Sequence, residues 1–274
     1  MPNPYQDRVV IITGGTSGIG KALMVQLLKL QAKVALCGRD SKKIESLRTE
    51  YPSPDLFTFQ ADVAVESDCK AFVEATMNRF GKIDILINNA GISMRALFIE
   101  TDLNVLRQSM DVNFWGAVYM CKFALPHIMI QKGSIAGISS IAGYKGLPCR
   151  TGYSSSKFAL QGFLESLRIE LLHSGVNVLW ISPGFVASNI RNTALNAQGK
   201  AQLETPLDES KLMSAEACAE GILDAIANRK RSLIMTLQGK MTVWMNKFFP
   251  GMVDRKVYAH FAAEPDSPLN PKPL

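Results

Sequence analysis

Two hydrophobic patterns alternate along the chain. Short runs of β-branched and other apolar residues are typical of strands buried on both faces of a sheet, whereas apolar residues that recur every three or four positions are typical of helices. The clearest helical pattern runs from Leu160 to Leu171 and ends before Gly175. The apolar runs predict strands at 8–13, 33–38, 56–60, 83–88, 133–139, 176–182 and 231–236.

Strands that alternate with helices predict a parallel sheet with helices on both of its faces. We therefore expect a doubly wound, seven-stranded α/β fold. No linker rich in proline, serine or glycine divides the chain, so residues 1–274 are predicted to form a single domain. Two regions depart from the alternation: the polar stretch 185–215 and the segment 239–274, which is rich in methionine, aromatic residues, lysine and arginine.

Composition and charge narrow the class of protein. The chain has 274 residues, of which 47% are hydrophobic, and a formal net charge of +6, which is typical of a globular protein. The excess charge lies between Arg229 and Lys256, where seven basic residues accompany a single acid, Asp254. No nucleic-acid-binding motif accompanies this charge, so we expect no nucleic-acid partner.

The sequence predicts a cytoplasmic protein, with attachment to a membrane surface as the alternative. The N-terminal segment carries an acid and two prolines, unlike a secretory signal, and the longest apolar stretch, 114–130, is interrupted by Lys122, Pro126 and His127. The five cysteines form no C-x-x-C pair and the three histidines are isolated. Free, mostly buried thiols and no metal site are therefore expected.

A glycine-rich turn follows the first predicted strand. Its sequence, Thr13-Gly-Gly-Thr-Ser-Gly-Ile-Gly20, leads directly into an amphipathic helix. Such a turn directs backbone N–H groups and the positive end of a helix toward a pyrophosphate, and a Cβ atom would block that approach. A plain tight turn is the alternative for an isolated glycine cluster. This cluster lies between the first predicted strand and the first predicted helix, and that position favours a nucleotide site.

The end of the second strand bears on the choice of nicotinamide cofactor. An acid at this point binds the ribose 2′-hydroxyl and repels a 2′-phosphate, but the sequence here is Cys37-Gly38-Arg39-Asp40. Arg39 offers a planar guanidinium to a phosphate, which favours NADP(H). One alternative is a solvated Arg39 beside an Asp40 that only caps the next helix. NAD(H) also stays open as the cofactor, because Ser17 occupies a position where a basic residue would have strengthened the NADP(H) prediction.

A tyrosine, a lysine and a serine form a candidate catalytic group. Tyr153 and Lys157 are four residues apart on a predicted helix, so their side chains share one face. A neighbouring cation stabilises a phenolate and lowers the tyrosine pKa, which allows proton exchange near neutral pH. Ser140 ends a predicted strand, where its hydroxyl is expected at the carboxyl edge of the sheet.

Together these motifs resemble those of the short-chain dehydrogenase/reductase family, over roughly residues 7–236. Further matches are Asp62-Val63, the Asn-Asn-Ala-Gly segment at 88–91, Asn113, and the segment 183–188, in which Ser188 replaces the family's threonine. The resemblance implies a Rossmann-type fold. It assigns cofactor binding to Gly14, Thr16, Ser17, Gly18, Ile19, Gly20, Arg39, Asp62, Val63, Asn89, Ala90, Gly91, Tyr153, Lys157, Pro183, Gly184, Val186 and Ser188.

The resemblance also implies a reaction, the interconversion of a carbonyl and an alcohol with NAD(P). Ser140 would hold the substrate oxygen, and Tyr153 would donate a proton to it or remove one from it. Lys157 would lower the Tyr153 pKa and bind the nicotinamide ribose, and Asn113 would hold a water that relays protons. A catalytically silent regulator on the same fold would require the loss of Tyr153 or Lys157, and both are present.

The resemblance places a substrate lid at about 185–215. Arg191 is the one candidate there for clamping an anionic substrate, and a solvated arginine is the favoured interpretation. A largely apolar carbonyl or alcohol is therefore expected, as in the hydroxysteroid branch. Family members associate through the helix that holds Asn113 and the helix that begins at Tyr153, which implies a homodimer or homotetramer. The apolar residues considered for that contact are Phe114, Trp115, Val118 and Met120, and the alternative for them is burial within one subunit.

The C-terminal segment 240–261 is too apolar to be left in water and is divided by Pro250-Gly251. Three interpretations stay open: a flap over the substrate site, a subunit interface, and an amphipathic piece on a membrane surface, as in a peripheral lipid carbonyl reductase. Trp244, Phe248 and Phe249 would insert in the third case.

Overall fold

Seven strands form one parallel sheet in the order β3-β2-β1-β4-β5-β6-β7. The computed structural model describes residues 3–186, 190–202 and 212–270. The predicted sheet is confirmed, and the strand ends differ from prediction by at most two residues. The strands are β1 Val9–Thr13, β2 Lys33–Gly38, β3 Leu56–Gln60, β4 Ile85–Asn88, β5 Ser134–Ile138, β6 Asn177–Ser182 and β7 Ser232–Ile234.

Helices cover both faces of the sheet. Short non-α turns occur at Phe98–Glu100 and Ile141–Gly143, which are 3₁₀-helical, and at Asp111–Trp115, which is π-helical. The α-helices of the described residues are α1 Gly18–Lys29, α2 Ser41–Glu50, α3 Glu66–Phe80, α4 Leu103–Met110, α5 Gly116–Gln131, α6 Thr151–Glu170, α7 Ala215–Ala227, α8 Leu237–Phe248 and α9 Pro250–Ala262.

The core lies in two layers because successive side chains of a strand point to opposite faces of the sheet. In β1, Val10 and Ile12 pack with α1 and α7 on one face. Ile11 packs on the other face, in a cluster with residues of α3, α5 and α6. This explains the uninterrupted apolar runs of the sequence, since every position of such a strand is buried.

The sheet positions a crevice between β1 and β4. Along the sheet, the chain proceeds from β1 to one side through β2 and β3, and then to the other side from β4. Ligands of doubly wound folds bind beyond the carboxyl ends of the strands at this reversal. The ligand site is therefore expected beside the loops that follow β1 and β4.

For one of the residues considered for the subunit contact, the structure supports the alternative of burial within one subunit. Met120 on α5 is fully buried beneath the sheet in the same cluster as Phe72, so it is unable to take part in a contact between subunits. The helix that was expected to hold Asn113 is interrupted by the π-helical turn 111–115. Trp115 in that turn is exposed.

All five cysteines are buried as free thiols, as the sequence predicts. Within the described ranges, no helix combines the length and apolar character that crossing a bilayer requires. In the predicted lid, Val186 pairs with Met213, and Leu195 pairs with Met94 and Ala201.

Candidate active site

The glycine-rich turn is packed so closely that larger residues would not fit. Gly14 has φ +64°, and a Cβ atom there would lie 2.8 Å from the Cα of Ala90. A Cβ atom at Gly20 would lie 2.4 Å from the Gly14 carbonyl oxygen. Gly20 is therefore needed for the shape of the turn, since it does not itself line the cavity that Gly14 and Gly18 face.

Asn89 and Thr13 hold this turn against the loop after β4. The Asn89 amide Nδ2 donates to the carbonyl oxygens of Thr13 and Gly14 at 2.9 and 3.0 Å. In return, Thr13 Oγ1 accepts from the backbone N–H groups of Asn89 and Ala90, both at 3.0 Å. Thr13 was not predicted as a site residue. Its signal in the sequence is a hydroxyl at the end of an otherwise apolar strand.

The carboxyl end of β2 carries the groups expected near the adenine ribose. Asp40 caps α2, with its carboxylate accepting from Lys42 N and Lys43 N at 3.0 and 3.2 Å. Arg39 extends to the cavity with 63% of its side chain exposed, and its Nη1 lies 3.9 Å from Asp62 Oδ2. Lys43 also lines the cavity and was missed, because the sequence offered no reason to place the first turn of α2 there.

Gly38 leaves no room for an acid. A Cβ atom at this position would lie 2.7 Å from the Thr16 methyl carbon. An aspartate here would require Thr16 to move. The carboxylate of Asp40, two positions further along the chain, is engaged in capping α2.

Ser140 and Tyr153 meet at the carboxyl end of β5. Ser140 Oγ accepts from Ala142 N at 3.1 Å, which fixes the turn 141–143, and the Ser140 side chain lies close enough to the Tyr153 phenol to lower its pKa. Neighbouring Ser139 has a different partner, since Gln161 Nε2 donates to its Oγ at 2.8 Å. The contact with Tyr153 thus supports the choice of Ser140.

Lys157 lies under the Tyr153 ring, with Nζ 5.7 Å from the ring centroid. Its ammonium donates to the Ile138 carbonyl oxygen at 2.8 Å. Burial lowers the pKa of Lys157 to about 8.

The pKa of Tyr153 differs from the sequence-based expectation. Burial raises it, while the nearby Ser140 side chain and the charge of Arg150 act in the opposite direction. The lysine was expected to lower this pKa, but its ammonium donates to Ile138, and the effect of burial on the phenol exceeds that of the groups that lower its pKa. The phenol is accordingly protonated at neutral pH.

Asn113 connects the loop after β4 to the catalytic helix. Its Nδ2 donates to Ile92 O and Ser156 Oγ, both at 2.9 Å, and its Oδ1 accepts from Ile92 N at 2.8 Å. It lies in the π-helical turn, a geometry frequent at functional sites. Asn113 is buried and does not line the cavity, so its side chain positions Ile92 and α6. Its relay of protons through a water stays a prediction.

A cavity of about 850 Å³ joins the glycine-rich turn to the C-terminal helices. Pro183, Gly184 and Val186 line it at the end of β6, and Ser188 lies outside the described residues. The other predicted residues that line the cavity are Gly14, Thr16, Ser17, Gly18, Ile19, Arg39, Asp62, Val63, Asn89, Ala90, Gly91, Ser140, Tyr153 and Lys157.

The far wall of this cavity was not predicted in detail. It includes Met245 of α8 and Val253, His260 and Phe261 of α9. This agrees with the interpretation of the segment as a flap over the substrate site. No sequence motif marks these residues, because only the folding back of α8 and α9 brings them to the site.

Arg150 ties the far wall to the catalytic residues. Its guanidinium lies 4.4 Å from the centre of the Phe261 ring and 3.3 Å from Glu264, which also pairs with Arg95 at 3.3 Å. Arg150 also acts electrostatically on Tyr153. Sequence reasoning missed it although it precedes Tyr153 by only three residues.

Across the described part of the chain, no group of three or more His, Cys, Asp or Glu side chains is arranged to hold a metal ion.

Comparisons with known proteins agree with this geometry. A family model described as short chain dehydrogenase matches residues 8–199. The 11-beta-hydroxysteroid dehydrogenase A of Sesamum indicum is 30% identical over 270 residues, which cover 95% of this chain and 77% of the relative. The dehydrogenase/reductase SDR family member 7B of Mus musculus is 34% identical over 260 residues, which cover 91% of this chain and 80% of the relative.

The fold is also similar to that of a solved structure. A short chain dehydrogenase/reductase from Burkholderia phymatum, in complex with NAD, matches with a TM-score of 0.79 over 99% of both chains at 22% identity. The family match covers most of the sheet, and both relatives align over nearly the whole chain. The protein therefore belongs to the short-chain dehydrogenase/reductase family, near its hydroxysteroid dehydrogenase-like members, and is an NAD(P)-dependent oxidoreductase acting on CH–OH groups.

Proposed function

We propose that the protein reduces a largely apolar ketone or aldehyde with NADPH, with Tyr153 as the proton donor. The observation that carries the proposal is the contact of Ser140 with Tyr153 on one wall of a cavity whose other wall is built from Met245, Val253 and Phe261. The first wall supplies proton chemistry, and the second supplies apolar surface for a substrate.

The residues around the glycine-rich turn fit a dinucleotide. Gly14 and Gly91 line the cavity without side chains, and a Cβ atom at Gly91 would lie 3.2 Å from Asn113 Oδ1 and 3.4 Å from Lys157 Nζ. The turn and the N-terminus of α1 would hold the pyrophosphate, and Asp62 and Val63 the adenine. When bound, the reduced cofactor supplies the hydride.

The protein's own contribution is to position the carbonyl and to supply a proton. The Ser140 hydroxyl holds the carbonyl oxygen beside the Tyr153 phenol, which then transfers its proton to that oxygen. Burial raises the Tyr153 pKa, so the phenol carries the proton that reduction requires at neutral pH. Lys157 and Arg150 place positive charge near the phenolate that proton transfer leaves behind.

The reaction class is tested by a panel of ketones, aldehydes and alcohols assayed with both NADPH and NADH. We expect NADPH-dependent turnover of apolar ketones or aldehydes. Binding of NADPH without turnover of any member of the panel would contradict the proposal.

The pH dependence of reduction should follow Lys157. Its pKa is about 8, so it is charged at neutral pH and loses its proton as the pH rises through that value. We expect kcat/KM for ketone reduction to fall above about pH 8, because the neutral amine no longer stabilises the phenolate. Initial rates between pH 6 and 10, with thermal unfolding recorded at each pH as a control for stability, test this. A profile that stays flat to pH 10 would contradict it.

The preference for NADPH rests on the charges at the end of β2. Arg39 and Lys43 both reach the cavity, Gly38 carries no carboxylate, and that of Asp40 is engaged in capping α2. Arg39 and Lys43 could therefore both bind a 2′-phosphate. The carboxylate that would compete for Arg39 is that of Asp62, whose Oδ2 lies 3.9 Å from Arg39 Nη1.

Replacing Arg39 with alanine tests this preference. We expect kcat/KM with NADPH to fall about tenfold or more, since charge-assisted hydrogen bonds contribute about 1.5–3 kcal/mol each, while kcat/KM with NADH changes little. Lys42→Ala is the matched control, because this exposed lysine is a neighbour of Lys43 outside the cavity lining. Equal losses with both cofactors would show that Arg39 does not recognise the phosphate.

A further inference from the structure

The pair of helices α8 and α9 is fastened to the body of the protein by its inner side. Gly239 packs so closely that a Cβ atom there would lie 2.6 Å from Ile141 Cδ1, and Asn246 Nδ2 donates to the Tyr144 carbonyl oxygen at 3.3 Å. On α9, Asp254 pairs with Lys145. The orientation of the opposite side of these helices is therefore fixed.

That opposite side is apolar and exposed. On α8 the residues are spaced by four, three and four positions, which places them on one face of the helix, and two more stand at the junction with α9. We call this set the outer face. Its members, with their exposed fractions, are Leu237 81%, Met241 55%, Trp244 59%, Phe248 62%, Phe249 50% and Met252 45%.

Cations border the outer face. Lys240 and Lys247 precede Met241 and Phe248 by one position each, so they lie along one edge of the same helix face. Arg255 follows Met252 by three positions on α9. Among the residues that the structure describes, Lys240, Lys247 and Arg255 take part in no ion pair, in contrast to Lys145 and Lys230.

We infer that the outer face docks on an anionic phospholipid surface, with α8 in the plane of the interface. An apolar face containing tryptophan and phenylalanine, bordered by lysines, is the pattern of helices that lie at the boundary between headgroups and acyl chains. Each Lys or Arg near an anionic leaflet adds to the attraction.

Charge favours a lipid surface over a second copy of this chain. Helix α8 contains no acidic residue, so a symmetric contact through this face would bring Lys240 and Lys247 toward the same cations of the other copy without a carboxylate on α8 to pair with them. An anionic membrane offers the missing negative charge.

The docked helix would also form a boundary between the lipid and the cavity. Met241 belongs to the outer face and also lines the cavity, together with Thr242 and Met245 of the same helix. A substrate dissolved in the membrane would then enter past α8. This second step rests on the proposed reduction of an apolar carbonyl, whereas the docking itself does not.

The docking is tested by flotation with vesicles of phosphatidylcholine alone and of phosphatidylcholine mixed with phosphatidylserine, at physiological salt. We expect the protein to float with the anionic vesicles. The double variant Trp244→Ser/Phe248→Ser should reduce the bound fraction about tenfold or more, because the two rings supply much of the inserted apolar surface. Lys240→Glu/Lys247→Glu should reduce binding to anionic vesicles as well.

The matched control is Phe98→Ser/Ile99→Ser, which removes two exposed apolar side chains elsewhere on the surface and should leave flotation unchanged. Thermal unfolding checks that each variant is folded. Absence of the wild-type protein from the floated fraction would overturn the inference. So would a dimer in light scattering that Trp244→Ser/Phe248→Ser converts to a monomer. If the protein floats but reduces no carbonyl, the docking stands and the proposed function fails.

Discussion

Replacing Tyr153 with phenylalanine is expected to lower kcat for ketone reduction by about a hundredfold to ten-thousandfold, the range that a positioned general acid contributes. The change removes the proton that Ser140 helps to place and leaves the ring, with Lys157 5.7 Å from its centroid, in position. Binding of NADPH, measured by fluorescence titration, should change little. Loss of turnover with cofactor binding retained would identify Tyr153 as the acid.

Tyr258→Phe is the matched control for this experiment. Tyr258 lies on α9 with its side chain exposed and outside the cavity that holds Tyr153, so loss of its hydroxyl should not affect the rate. If Tyr153→Phe keeps more than about a tenth of the wild-type rate, another group supplies the proton and the assignment is wrong.

Replacing Gly20 with alanine is expected to weaken NADPH binding by about tenfold to a hundredfold. The new methyl group would lie 2.4 Å from the Gly14 carbonyl oxygen and 2.9 Å from Gly15 Cα, so the backbone of the glycine-rich turn has to move. Overpacking of this kind costs about 1–3 kcal/mol, and here the strain falls on the atoms that would face the pyrophosphate. Titration of NADPH, together with thermal unfolding, measures both consequences.

Gly251→Ala supplies the comparison. Gly251 also lies in the first turn of a helix, but a Cβ atom there would meet no described atom within 4 Å. Alanine should stabilise that turn slightly, since glycine is about 1 kcal/mol less favourable in helices. Unchanged NADPH affinity in Gly20→Ala would show that the turn tolerates a side chain and does not carry the cofactor.

The sheet was predictable because its signal is local. Residues 9–12 of β1 are apolar at every position, and this is what burial on both faces demands. The glycine-rich turn and the pair Tyr153 and Lys157 were found for a related reason. Their chemistry depends on spacing within a few residues, which a sequence shows directly.

Contacts between distant segments were not predictable in the same way. The 114 residues that separate Arg150 from Glu264 give no sign that the two side chains meet. Met120 is as apolar as Trp115, which is exposed, and only the packing of α5 shows that Met120 is buried. The Tyr153 pKa was misjudged because burial, which raises it, is set by the whole fold and not by the nearest cation.

The order of the elements along the chain determines which part of the site can fold first during translation. All seven strands, the glycine-rich turn and the pair Tyr153 and Lys157 precede Leu237, whereas the apolar wall of α8 and α9 and the carboxylate of Glu264 follow it. Since chains emerge from the ribosome N-terminus first, the nucleotide cradle can form before the substrate chamber is enclosed. On the proposed function, part of the substrate chamber is therefore encoded after the hydride-transfer scaffold, and this part can diverge in evolution with the scaffold left intact.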